Sequence, residues 1–67
     1  MSDSLSDALP KELARVREVL GHYKEIGAAG VFGAAMIEQS LSAADKAIIS
    51  GDIVEMITAY KDLQDIS

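Results

Sequence analysis

Leu9, Leu13, Val16, Leu20 and Tyr23 recur at alternating steps of four and three, which places their side chains on one face of an α-helix. Val19 and Ile26 widen that stripe, while Lys11, Arg15, Glu18, His22 and Glu25 fall on the opposite side. Pro10 suits a first helical turn, where its missing N–H costs nothing, and Ser6 or Asp7 can cap slightly earlier. Gly27 follows the last stripe residue, where a left-handed residue commonly stops a helix. The pattern predicts a first helix over about residues 9–26, after a flexible tail at 1–5.

A middle helix is expected over about residues 29–50. Gly30, Ala34, Ile37, Leu41, Ala44 and Ile48 line one face. Phe32, Met36, Ala43 and Ala47 line another, rotated by roughly 120°. So broad an apolar arc has to be covered on two sides. Ser42 to Asp45 have cap-like spacing, a point at which the helix can break. Gly51 can end it and Asp52 can cap a third helix over about 52–65, with Glu55 at capping-box spacing. Ile53, Met56, Ile57, Tyr60 and Leu63 form the third stripe, and the closing QDIS is expected to fray. No stretch alternates apolar and polar residues as a half-buried strand does. The expected fold is therefore all-α: one small domain over 1–67, an antiparallel three-helix arrangement with loops of about two to four residues.

Size adds a constraint. A 67-residue chain buries only about 60% of the surface it exposes when unfolded, and such chains usually gain a disulfide, a metal or a partner subunit. Cysteine is absent and His22 is the sole histidine, so a homodimer is the expected remedy. The net charge is −5, with −2 over residues 1–9, +1 over 10–26, none over 27–37 and −4 over 38–67. No cation cluster is present to release counterions from a phosphate backbone, which disfavours direct nucleic-acid binding. An acidic face can meet a basic partner, although solubility is the simpler reading. The opening MSDSLSDALP lacks the apolar core of a secretory signal. The uncharged apolar run Ile26 to Ile37 is shorter than the roughly 20 residues of a membrane span. A cytoplasmic protein that does not enter membranes is expected.

The segment GAAGVFGAAMIEQS, residues 27–40, carries glycine at every third position through Gly33. A dinucleotide or phosphate loop needs a preceding buried strand or a terminal Lys-Ser or Lys-Thr, and neither is here. Helical glycine costs about 1 kcal/mol relative to alanine, so close packing must offset it. Gly30, Phe32, Gly33, Ala34, Met36, Ile37 and Leu41 are accordingly the candidate interface residues, with the contact lying either within the chain or between chains.

Chemistry is thin elsewhere. Asp3–Leu5 resembles the modification site of acyl carrier proteins, but no helix precedes Ser4. Ala47 and Gly51 have helix-turn-helix spacing, yet the helix that follows holds one lysine against three acids. ADKAIISGDIVEMITAYKDLQ resembles one turn of a tetratricopeptide repeat through its GD and AY pairs, without the further copies such repeats need. Glu18 and His22, or Glu38 and Asp45, share helix faces without a nucleophile or third ligand. No catalytic, cofactor or metal residues are assigned, and a core this small is not expected to enclose a ligand pocket. LPKELARVREVL and GAAMIEQSL resemble segments of short acidic helical proteins encoded in bacterial prophages. That resemblance implies an accessory or host-takeover role and transfers no functional residue. The sequence points to a non-catalytic protein–protein interaction module, with an acidic inhibitor of a basic or nucleic-acid-binding surface as the alternative.

Overall fold

The computed structural model describes residues 4–66. Three helices follow one another: α1 Leu5–Glu25, α2 Val31–Ser50 and α3 Ile53–Gln64, with a 3-10 turn at Gly27–Gly30 between the first two. No strand occurs among the described residues. The all-α three-helix fold is as the pattern predicts.

The first helix begins four residues earlier than expected, so Pro10 lies inside it rather than in its first turn. The reason is Leu5, four residues before Leu9, which carries the stripe back by a turn and packs against the edge of the core. Of the predicted tail, residues 1–3 lie outside the described residues, Ser4 is the N-cap and Leu5 is helical. The Ser4 hydroxyl donates to the Asp7 carboxylate at 3.0 Å instead of receiving a backbone N–H. At the far end Gly27 takes φ 78°, the left-handed stop its position suggests.

Leu9, Leu13 and Val16 of α1 meet Ile37, Leu41, Ala44 and Ala47 of α2 and Ala59 and Leu63 of α3 in one core. The α1–α2 register is antiparallel: Arg17 pairs with Asp45 at 3.4 Å, and two turns further along α1 Lys24 pairs with Glu38 at 3.3 Å, two turns back along α2. Arg15 of α1 reaches the other neighbour, donating to the Leu63 carbonyl at 2.8 Å. Helix α2 runs unbroken through Ser42, because Ala43, Ala44 and Ala47 are strong helix formers and Ala44 is fully buried beside α1 and α3. Gly51, at φ 71°, ends it.

Asp52 caps α3 as expected, accepting from Val54 N at 2.9 Å and Glu55 N at 3.2 Å. The return half of the capping box runs through Ser50. Its hydroxyl oxygen accepts Asp52 N–H at 3.2 Å and lies 3.0 Å from a Glu55 carboxylate oxygen. Past Gln64 the chain stays tied: Ile66 N–H donates to the Leu63 carbonyl at 3.1 Å and its side chain is half-buried on the core. Ser67, the end of the predicted frayed segment, lies outside the described residues.

The helices differ in reach. With 20 residues α2 is about 30 Å long and with 12 residues α3 is about 18 Å. Starting from the same corner, α3 covers the C-terminal part of α2 and stops. The 3-10 turn at the other end touches α1 and α2 but not α3.

Candidate interaction surface

The seven candidate interface residues separate into two sets. Ala34, Ile37 and Leu41 are buried in the chain's own core, and Gly30 is buried beneath the end of α1. A Cβ on Gly30 would run into the Tyr23 carbonyl oxygen, and one on Gly33 would lie 2.5 Å from Cε2 of the Tyr23 ring. The two glycines therefore make room for α1 of the same chain. Phe32 and Met36 point the other way, 78% and 53% exposed.

These two side chains belong to the second apolar face of α2, the one that includes Ala43 and Ala47. Where α3 lies alongside, Ala47 is buried at 3% exposure. Beyond the reach of α3 the same face is bare at Met36 and Phe32. Ile26 and Val31 add exposed apolar surface at this end. A second exposed group, Ile48, Ile49, Ile53, Val54 and Ile57, surrounds the α2–α3 corner.

Between α2 and α3 runs an open groove of about 510 Å³, floored by Ala43, Ala47 and Ala59 and walled by Val54 and Thr58. Lys46 stands on one rim, with Glu55 and Asp62 on the other. It is a surface trough, not an enclosed cavity, so the expectation that the core encloses no pocket is unaffected.

The electrostatics are those of a solvated surface. No charged side chain is buried among the described residues. Glu18 and His22 are exposed, and Glu38 and Asp45 are held by Lys24 and Arg17 of α1. Among the described residues no three acidic or histidine groups converge as a metal site would require. The Arg15 guanidinium is held above its ordinary range by its hydrogen bonds to Glu12, with the Glu12 charge adding to the effect and partial desolvation opposing it. Arg15 is charged throughout the range in which proteins fold. Its reach to α3 was not signalled by the sequence, where only the Glu12–Arg15 spacing of three hints at an ion pair.

No helix is long and apolar enough to cross a membrane among the described residues. Comparison of the chain with protein-family models, with curated proteins and with solved structures finds no match.

Proposed function

We propose that this chain is a non-catalytic protein–protein interaction module that works as a homodimer in an accessory or regulatory role. The observation that carries the reading is the exposure of Phe32 and Met36 on a helix face that is buried further along only at Ala47, beside α3. A monomer gains nothing by displaying an aromatic ring there, whereas aromatic and methionine side chains are enriched at interfaces.

Charge does not bar a second copy at this end of α2. Two chains of net charge −5 repel at long range, so they meet best where neither carries charge. Residues 27–37 are such a stretch; of the charges that flank it, Lys24 and Glu38 pair with one another, and Glu25 is exposed. Sedimentation equilibrium from micromolar to millimolar concentration tests the reading. The mass should rise from that of the 7.1 kDa chain toward twice that value, and Phe32→Asp should hold it at the lower one. A fully helical protein that keeps the single-chain mass throughout refutes it.

The alternative, an acidic inhibitor, draws on the exposed Ile49, Ile53 and Ile57 beside a segment of net charge −4. Its partners should dissociate as salt is raised, because exposed charges are screened beyond about 8 Å at physiological ionic strength. Partners retained unchanged in high salt exclude the electrostatic form.

A further inference from the structure

We draw no further inference here: the strongest candidate, the exposed apolar group of Ile49, Ile53, Val54 and Ile57 at the α2–α3 corner, is flanked along the chain by the acids Asp52 and Glu55 and equally by Lys46 and Lys61, so charge selects no partner and nothing in the structure shows what covers it.

Discussion

At Gly30 a single added methyl would strike backbone, the carbonyl oxygen of Tyr23, so neither partner can rotate away. Gly30→Ala should cost about 1–3 kcal/mol, the range for overpacking a close contact. Gly33→Ala meets only the Tyr23 ring, a half-buried side chain that can swing outward. The gain of about 1 kcal/mol in helix propensity offsets much of that disturbance, and the net change should be small. Gly21 has nothing near its would-be Cβ and lies within α1, so Gly21→Ala should stabilise by up to about 1 kcal/mol. Urea midpoints of the three variants check the order; equal effects at Gly30 and Gly21 would contradict the packing described. The glycine rhythm of residues 27–33 is plain in the sequence, and so is the role of Gly27 as a stop. Which residue the other two accommodate was not legible, because Tyr23 reaches them only through the tight reversal of the chain at the 3-10 turn between α1 and α2, which the spacing of apolar residues does not describe.

For the elements, the sequence announces its helices through stripes and caps, and it misleads where two signals conflict. Pro10 reads as a first-turn residue, yet burying Leu5 extends α1 back past it. The length of α3 is the less visible matter of consequence. Nothing in the stripe of Phe32, Met36, Ala43 and Ala47 says that a 12-residue helix will cover only its lower part. Two contacts hold α3 in place at its ends. Asp52 satisfies the first free amides, and Asp52→Ala should cost about 1 kcal/mol in a thermal melt, while Asp52→Asn should nearly preserve stability. Arg15 ties the last turn through the Leu63 carbonyl, braced by Glu12. Hydrogen exchange in Arg15→Ala should quicken at amides near the C-terminal end of α3 and leave the α2 amides near Ile37 and Leu41 at wild-type protection. Uniform loss across all three helices would mean that Arg15 supports the whole core instead of one helix end.

Taken as a whole, the molecule measures 38 × 25 × 16 Å and is unevenly finished. Leu9, Val16 and Leu63 are almost completely enclosed, while Phe32, Ile49 and Val54 stand more than 70% exposed. A chain with little core to spare has left large apolar groups in water, and a second copy covering the Phe32 end would recover part of that surface. Association that stabilises only the folded chain must then appear in the melting temperature, because mass action adds about 2.7 kcal/mol per dimer when concentration rises a hundredfold above the dissociation constant. Shared between two chains, that is close to 1.4 kcal/mol each, enough to raise the melting temperature of a domain this size by about 5–10 °C. Differential scanning calorimetry across that concentration range should show the rise in wild type and a flat line in Phe32→Asp, whose folded chain is unchanged at an exposed position. If the two proteins melt in parallel, either both rising or both flat, Phe32 is not part of what associates, and the bare upper face of α2 needs another explanation.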